Sequence, residues 1–544
     1  QEQSRFPIHN LTTPLNHFPT SPRYPPTNLT FPLRYILDTT HYQPGGPVFV
    51  IAGGETSALN RLPFLSQGIV HELARIYQGV ALIVEHRYYG TSYPTSTHTS
   101  SSSTAQDDDD TIPLSTLTYL TTEQALADYA YLATHLPPTP KTPDLSPTTT
   151  PWIAYGGSYA GAFAAFLRRQ YPDTVWAAIA SSGVTAAVAD YWAYYEPLRA
   201  HGPRRCVAAQ QALIAWVDRV LLRSAAAGSP GPAPGAPDRA PLLKGVFGGQ
   251  APNLTDENFV AGLAEPLGLW QERNWEPAVG ALGFRWFCGN ITAPTVLDTE
   301  LEAEVGGVVR GLVGDDGEEG AALVTGVVNW VGFVRREGVF ASASSAAASE
   351  GAGEGQGQGQ GADDDDDKRL PRTASTSWNY QVCTEWGYFM PGSTVPAHIP
   401  PLVSRLLTPG FWVDMCNTTY GITTPPDTDR INRYGGFEFS YPRVAHIGGV
   451  ADPWKEASPF ATGVPVRNST AEEPMILIRV PAEEVYDGME GGVHHWDQNG
   501  VFGVEEHWEG KRVVPPKGVR EVQGEVIGFV GGWLGEWRQA QAQA

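Results

Sequence analysis

Three segments of the chain carry side chains that could together form an acyl-transfer site. Residues 155–161 read YGGSYAG and place Ser158 among small residues, whereas Asp452 lies in GGVADPW and the pair His494 and His495 in GGVHHWD. A serine hydroxyl becomes a good nucleophile when a histidine accepts its proton and a carboxylate orients that histidine. We therefore predict a nucleophile, an orienting acid and a general base, in that order along the chain.

Each of these groups follows a segment that is predicted to be a buried strand. PWIAY precedes the serine, PRVAHI precedes the aspartate, and MILIRV precedes the glycine-rich stretch that ends in the histidines. Apolar runs at 47–53, 79–85 and 175–180 are also typical of buried strands, and helices are predicted at 64–77 and 162–171. This alternation predicts an α/β fold with a mostly parallel sheet. The order Ser, Asp, His at strand ends is that of an α/β-hydrolase.

Small residues flank Ser158 because a sharp turn from strand to helix leaves little room. The usual pattern has glycine two residues after the serine, and Ala160 stands there. A Gly-Ser turn without chemistry is the alternative interpretation. For the oxyanion we predict one donor in the amide of Tyr159 and a second in the amide of Gly54 or Glu55.

The strand and helix alternation stops near residue 190. We predict an N-terminal extension at 1–30, a hydrolase core at 31–195, a helical cap at 196–430 and a second part of the core at 431–544. The low-complexity tracts 96–112 and 341–368 are expected to be mobile surface loops, and proteases should cut the second one first. Its glycine run lacks the Lys-Ser/Thr of a phosphate-binding loop, and no cofactor is predicted.

The composition excludes some classes of partner. Asp and Glu outnumber Lys and Arg by 58 to 36, and this net charge of −22 repels nucleic acids and anionic membranes. No apolar run is long enough to span a membrane. The chain starts at Gln1 without a leader, has four cysteines and contains six N-glycosylation sequons, so we expect a secreted glycoprotein or one in a vacuolar or lysosomal lumen. The sequons are at Asn10, Asn28, Asn253, Asn290, Asn417 and Asn468.

Other interpretations of the histidine segment remain open. His494, His495 and Asp497 could bind a metal ion, but no His-x-x-x-His or matching Cys/His set accompanies them, so no metal is predicted. The histidine pair could also lie on the surface without a role. The triad alone does not name the acyl group, so an esterase or lipase is a rival, and an inactive hydrolase fold that serves as a binding protein is another.

Several motifs together resemble the prolyl carboxypeptidase and dipeptidyl peptidase II family of serine peptidases. They are PLNHF at 14–18, EHRYYGTSYP at 85–94, TEQALADYA at 122–130, GGSYAGAFAAFLRRQYP at 156–172, YQVCTEWGYF at 380–389, DPW at 452–454 and VHHWD at 493–497. The resemblance implies a hydrolase core, a helical cap and cleavage of peptides at proline. It also implies Ser158 as nucleophile, Asp452 as acid and His494, not His495, as base. Asn16, Ala160 and Gly448 depart from the family pattern.

The resemblance further implies two disulfides, Cys206 with Cys288 and Cys383 with Cys416. It leaves open whether the enzyme removes a C-terminal residue, removes an N-terminal dipeptide or cuts internally. Glu55 or Glu385 could bind a terminal amine, and Arg87 could bind a terminal carboxylate. A monomer and a homodimer are both compatible with the sequence.

Two tryptophans lie close in sequence to the proposed triad. Trp454 follows Asp452 by two residues, and Trp496 follows His494 by two residues. Flat aromatic walls suit the pyrrolidine ring of proline, which is compact, apolar and already fixed in φ. We therefore predict that both indoles line the pocket for the residue before the cut bond, the alternative being that they pack the core.

Overall fold

The computed structural model describes residues 5–94, 110–225, 239–277, 279–314, 317–341, 368–500, 506–508 and 511–543. The tracts 96–112 and 341–368, expected to be mobile loops, lie almost entirely outside the described residues, and so does most of the expected protease-sensitive stretch. Within these ranges the chain is organised around one eight-stranded sheet.

The central sheet has the strand order β1-β2-β4-β3-β6-β7-β11-β12. Its first two ladders, β1 with β2 and β2 with β4, are antiparallel, and the five ladders from β4 to β12 are parallel. β3, β4 and β7 consist entirely of buried residues, because helices cover both faces of a parallel sheet. The described strands are β1 (Ile8–Pro14), β2 (Thr30–Asp38), β3 (Val48–Ala52), β4 (Val80–Val84), β5 (Thr111–Pro113), β6 (Trp152–Gly157), β7 (Ala177–Ser181), β8 (Val188–Asp190), β9 (Arg369–Pro371), β10 (Gly387–Phe389), β11 (Val444–Gly449), β12 (Met475–Ile478), β13 (Glu506–Trp508) and β14 (Lys511–Val513).

Helices connect the strands and fill the long segment between β8 and β11. We predicted a single helix at 64–77. The structure has a short 3₁₀ helix, Ala58–Leu65, followed by an α-helix, Gly68–Ile76, and Leu62 and Leu65 of the short helix are buried. The described α-helices are α1 (Gly68–Ile76), α2 (Thr122–His135), α3 (Tyr159–Gln170), α4 (Glu196–His201), α5 (Arg204–Ala225), α6 (Arg239–Phe247), α7 (Asp256–Gly268), α8 (Gly283–Ile291), α9 (Thr299–Val313), α10 (Gly317–Arg336), α11 (Ala374–Gln381), α12 (Pro409–Tyr420), α13 (Asp429–Asn432) and α14 (Lys517–Gln543). The predicted α/β-hydrolase core with an inserted helical region is confirmed.

Part of the predicted N-terminal extension, residues 1–30, forms a strand of the central sheet. Ile8–Pro14 form β1, which pairs along its whole length with β2 and supplies one edge of the central sheet. Polar and exposed residues alternate with partly buried ones in this strand, as is typical of an edge that faces solvent on one side. The N-terminal segment therefore belongs to the core.

Two disulfides stabilise the helical insertion. Cys206 in α5 is bonded to Cys288 in α8, and Cys383 is bonded to Cys416 in α12, which confirms the predicted pairing. They join residues 82 and 33 positions apart. In the chain-entropy model, each closed loop of this size restricts the unfolded chain by about 3 to 5 kcal/mol. Among the helices that the structure describes, none is long and apolar enough to cross a membrane.

A buried ion pair fastens the N-terminal segment to the sheet. Arg87 Nε and Nη2 donate to the two carboxylate oxygens of Asp128 at 2.6 and 2.7 Å, and Arg87 Nη1 donates to the carbonyls of Leu15 and Tyr119. His17 Nε2 contacts the same carboxylate at 2.7 Å. Burial alone would raise the pKa of Asp128, but Arg87 and His17 together hold it below its usual range. The guanidinium is fully committed to this structural contact.

We expect Arg87→Met to lower the free energy of unfolding by about 3 to 5 kcal/mol, since it leaves a buried carboxylate without its main partner. Chemical denaturation measures this change. Arg310→Met is the matched control, because Arg310 and its partner Glu302 are both solvent-accessible and the loss of this pair should cost less than about 1 kcal/mol. Unchanged stability in the Arg87 variant would contradict the structural role.

Candidate active site

Ser158 lies at the sharp turn between β6 and α3, at the carboxyl edge of the sheet. Its backbone has φ 59° and ψ −126°, a region that residues other than glycine rarely occupy. The Ser158 amide donates to the carbonyl of Ser181 at 2.9 Å, which ties the turn to the end of the neighbouring strand β7. A non-glycine residue in this conformation costs about 1 to 3 kcal/mol and persists where the surroundings fix it. The turn therefore has the geometry of a nucleophile elbow.

The glycines around Ser158 are required by close contacts. A Cβ atom on Gly156 would lie 1.9 Å from the Ala160 carbonyl oxygen, and one on Gly157 would lie 2.8 Å from the His495 ring. Ala160 takes the position where the usual pattern has glycine. Its methyl group faces Gly54, where a Cβ would approach it to 3.2 Å. The methyl group of Ala160 is therefore accommodated because Gly54 has no side chain.

Asp452 and His494 form the hydrogen-bonded pair that a serine nucleophile needs. Asp452 follows β11 and is buried, and its Oδ1 accepts the amide of Trp454 at 2.9 Å. His494 Nδ1 lies 3.0 Å from both carboxylate oxygens. Because this contact places the proton on Nδ1, Nε2 is left as the acceptor for a serine proton.

His495 packs against His494 with ring centroids 3.7 Å apart and the rings tilted by 45°, but it faces different groups. Its amide donates to Ser182 Oγ, and its Nδ1 lies 3.5 Å from Ser181 Oγ. Burial, with further contributions from His494 and Arg61, holds the pKa of His495 well below its usual range. His495 is therefore a neutral packing partner, and among the two histidines His494 is the one that contacts Asp452.

The groups that could have supported a metal site are occupied by hydrogen bonds. Asp497 accepts the hydroxyls of Tyr155 at 2.7 Å and Ser181 at 2.6 Å, and burial raises the pKa of its carboxyl. In the part of the chain that the structure describes, three or more His, Cys, Asp or Glu side chains do not converge on one point as metal ligands would. Asp497 instead supports the strand ends beneath the histidines.

The turn after β3 offers a second backbone donor near the elbow. The Gly53 amide donates to the Val84 carbonyl at 2.9 Å and to the Tyr129 hydroxyl at 3.1 Å, so it is already used. Gly54 has φ 71° and lies against Ala160. Tyr159 is the first residue of α3, and the first amides of a helix have no helical acceptor. The amides of Gly54 and Tyr159 are thus the best placed for an oxyanion, with Glu55 next along the same turn.

Two partly buried charged side chains lie at this turn and in the short helix that follows it. Glu55 is half-buried, and its Oε2 is enclosed without a hydrogen-bond partner. Burial raises the pKa of Glu55, although Arg61, its own amide and His494 lower it to a smaller extent. Arg61 Nε donates to the Gly53 carbonyl at 3.0 Å, and burial lowers its pKa. Nη1 and Nη2 of Arg61 make no hydrogen bond or ion pair to the described residues. Sequence reasoning did not identify Arg61, because no motif contains it.

The two tryptophans lie in different surroundings. Trp454 is half-buried, with its ring centroid 6.5 Å from that of His494 and 5.6 Å from that of Tyr191. Trp496 is fully buried, and its indole N–H donates to the Arg273 carbonyl at 2.9 Å. Only Trp454 can form a pocket wall. Trp496 packs in the core, contrary to our expectation, because His495 with φ 57° turns the following chain inward.

Two of the proposed anchors for a substrate terminus are not accessible. Arg87 is fully buried and bound to Asp128. Glu385 is also buried, and it accepts Nη2 of Arg23 at 2.9 Å and the amide of Thr122 at 3.0 Å. Both residues have structural partners that a substrate would have to displace. Glu55 is the one predicted anchor that faces the site.

Comparison with known proteins gives related sequences over nearly the whole chain. The family model for serine carboxypeptidase S28 matches residues 15–227. A probable extracellular serine carboxypeptidase of Arthroderma benhamiae is 36% identical over 97% of this chain and 68% of that protein. The serine protease vicPb of Bipolaris victoriae is 26% identical over 80% of this chain and 77% of that protein. Among solved structures, proline iminopeptidase of Mycobacterium smegmatis matches with a TM-score of 0.29 and 11% identity over 86% of this chain and 90% of the other.

We expect Ser158→Ala, Asp452→Asn and His494→Ala each to lower hydrolytic turnover by at least about 10⁴-fold, because members of such a triad act as one unit. His495→Ala should lower it by less than about 20-fold. Hydrolysis of p-nitrophenyl acetate measures turnover, and thermal melting checks that each variant is folded. Loss of turnover in the His495 variant with retention in the His494 variant would reverse the assignment of the base.

Proposed function

Because the chain belongs to the serine carboxypeptidase S28 family, we propose that it is a secreted serine peptidase that removes the C-terminal residue of peptides by cutting after proline. Membership of this family supports a serine peptidase. The relative from Arthroderma is a probable extracellular serine carboxypeptidase. The position of Arg61 beside the oxyanion turn is the observation that favours a carboxypeptidase.

The described residues can perform acyl transfer in two steps. Ser158 Oγ attacks the scissile carbonyl while His494 Nε2 accepts its proton, and Asp452 stabilises the resulting imidazolium. The amides of Tyr159 and Gly54 donate to the oxyanion. His494 then gives its proton to the leaving amine, and the C-terminal residue departs. A water molecule, activated by the same histidine, hydrolyses the acyl-enzyme and restores the serine.

Arg61 supports binding of a terminal carboxylate. Its Nε is fixed to the carbonyl of Gly53, the residue before the proposed oxyanion donor, and its two terminal nitrogens have no partner among the described residues. The planar guanidinium binds a carboxylate through two parallel hydrogen bonds. The Arg61 side chain is largely surrounded by protein and still partly accessible. The substrate carboxylate would therefore lie next to the carbonyl that is attacked.

Glu55 favours a second candidate, a dipeptidyl peptidase. Its enclosed Oε2 lacks a partner and could accept a terminal ammonium group. Burial, however, raises the pKa of Glu55 and so disfavours its charged form, although Arg61, its own amide and His494 oppose this shift to a smaller extent. A neutral Glu55 tolerates a nearby substrate carboxylate, which an ionised Glu55 would repel. We therefore propose a carboxypeptidase first and a dipeptidyl peptidase second.

Trp454 supports specificity for proline. Its indole stacks on Tyr191, meets Tyr388 edge-on at 4.9 Å between centroids, and donates from Nε1 to Gln271 at 2.6 Å. These contacts hold the ring rigidly beside His494. A fixed aromatic wall favours a compact ring that loses little conformational freedom on binding. Proline fits this requirement better than a long flexible side chain.

Secretion is supported by features of the surface and of the cysteines. Two disulfides are formed, as is typical of an oxidising compartment. Five of the six sequon asparagines are exposed and can accept a glycan, whereas Asn290 is half-buried and accepts a hydrogen bond from Arg336. The exposed ones are Asn10, Asn28, Asn253, Asn417 and Asn468.

The first test compares a peptide that ends in Pro-Phe, with both termini free, and its C-terminal amide. We expect mass spectrometry to detect release of phenylalanine from the acid, with the amide cleaved more slowly. Arg61→Gln should raise KM for the acid by about 10- to 100-fold, because this ratio corresponds to the free energy of a hydrogen bond to a charged group. KM for the amide should be nearly unchanged.

Arg75→Gln is the matched control, since Arg75 lies on the exposed face of α1 and pairs with Glu72. Release of an N-terminal dipeptide, abolished by Glu55→Gln, would replace our proposal with the second candidate. Internal cleavage of a longer peptide capped at both ends would indicate an endopeptidase. Hydrolysis of esters without any cleavage of peptides would indicate an esterase.

The second test concerns the residue before the cut bond. We expect Trp454→Ala to lower kcat/KM for peptides ending in Pro-Phe by about tenfold and for those ending in Ala-Phe by less, because the larger ring loses more contact area. Trp286→Ala is the comparison variant, since Trp286 is exposed on α8. Equal cleavage after Pro, Lys and Glu by the wild type would contradict proline specificity.

A further inference from the structure

A cavity of about 280 Å³ lies in the helical insertion, on the far side of the rings that surround Trp454. Tyr194 and Tyr388 line it, and both rings contact Trp454 edge-on, with centroids 5.3 and 4.9 Å away. A water molecule occupies about 30 Å³, so the cavity has room for a whole side chain. It therefore shares the Tyr194 and Tyr388 rings with the surroundings of Trp454.

The walls of this cavity are aromatic and acidic. Phe411 and Trp412 contribute further rings, and the carboxylates of Glu265 and Glu272 enter from the end of α7 and the turn after it. Aromatic faces and carboxylates are the two kinds of group that bind organic cations in proteins. The composition of the walls thus selects against anions and favours a cation.

The position of Glu265 is unfavourable for a negatively charged side chain. It lies in the last turn of α7, where the helix dipole disfavours a negative charge. Its Oε1 is enclosed and has no hydrogen-bond partner. Burial raises the pKa of Glu265 to about 8, with no neighbouring cation to offset it. A ligand cation would remove this penalty, as a basic partner does in a buried ion pair.

Basic side chains within the described ranges do not neutralise the two carboxylates. Among the described residues, no ion pair or hydrogen bond reaches the side chain of Glu265 or Glu272. Glu337 also lines the cavity, and Arg336 Nε lies 3.8 Å from its carboxylate. The cavity therefore keeps an excess of acidic groups.

We propose that this cavity binds a cationic group of the peptide, an ammonium or guanidinium, located upstream of the cut bond. The proposal rests on the proposed function, because it assumes that the acyl part of a peptide runs past Trp454. The cationic group can be an Arg or Lys side chain or the free α-amine of a short peptide. Glu265 is the specificity-determining residue of this site.

The test uses five capped peptides and one with a free amine. Arginine is placed one or two residues before proline in Ac-Ala-Arg-Pro-Phe and Ac-Arg-Ala-Pro-Phe, and Ac-Ala-Gln-Pro-Phe and Ac-Gln-Ala-Pro-Phe are their neutral counterparts. Ala-Ala-Pro-Phe, compared with its acetylated form, tests the α-amine. We expect kcat/KM for phenylalanine release to be at least fivefold higher for one cationic peptide than for its neutral counterpart.

Glu265→Gln should abolish this preference and leave cleavage of the neutral peptides unchanged. Glu257→Gln, an exposed change in the first turn of the same helix, should retain it. Preference for arginine alone assigns the cavity to a side chain, and preference for the free amine alone assigns it to the N-terminus. The proposal is overturned if no cationic peptide is preferred, or if Glu265→Gln slows neutral and cationic peptides equally.

Binding to the Ser158→Ala protein separates this proposal from the proposed function. Calorimetry with Ac-Arg-Ala-Pro-Phe, Ac-Ala-Arg-Pro-Phe and their glutamine counterparts measures the charge preference without hydrolysis. If the wild type releases no phenylalanine but the charge preference in binding persists and depends on Glu265, the proposed function fails alone. If phenylalanine is released without a charge preference in rate or binding, the cavity proposal fails alone.

Discussion

The backbone at Ser158 has to reverse direction between a buried strand and a buried helix, and the site is arranged around the space that this reversal requires. Gly156 and Gly157 keep side chains away from the turn on two sides, so the α3 backbone and the His495 ring can approach closely. Gly54 gives room to Ala160 in the same way. The proposed oxyanion turn and the histidine loop therefore both pack closely on the strained serine turn.

The charged groups in the interior belong to two classes. Arg87 with Asp128, and Arg273 with Asp487, form ion pairs with two hydrogen bonds each and hold segments together that are distant in sequence. Other charged side chains near the site lack such partners, and they face the cleft or the cavity. Because an unpaired buried charge is costly, a paired group indicates structure and an unpaired one indicates recognition. The same rule assigned Arg87 to the first class and Arg61 to the second.

Much of the fold could be predicted from the sequence, because buried parallel strands are short apolar runs and a triad follows their carboxyl ends. Ser158, Asp452 and His494 lie where these patterns indicated. The role of Trp496 could not be predicted, since chain distance from His494 does not show that φ 57° at His495 turns the chain inward. Arg61 and Glu265 carry no motif, and the absence of a partner becomes visible only when the neighbouring helices are in place. β1 was missed because an exposed edge strand has a weak apolar pattern.

The position of the helical insertion has a consequence for synthesis of the protein on the ribosome. β7 and β11 are neighbours in the sheet, yet about 260 residues separate them along the chain. At about 5 to 20 residues per second, translation of that segment takes roughly 10 to 50 seconds. During this interval the β7 edge, whose residues are all buried in the finished protein, is unpaired and apolar. This edge of β7 therefore stays without its partner until β11, the strand that leads to Asp452, has been synthesised.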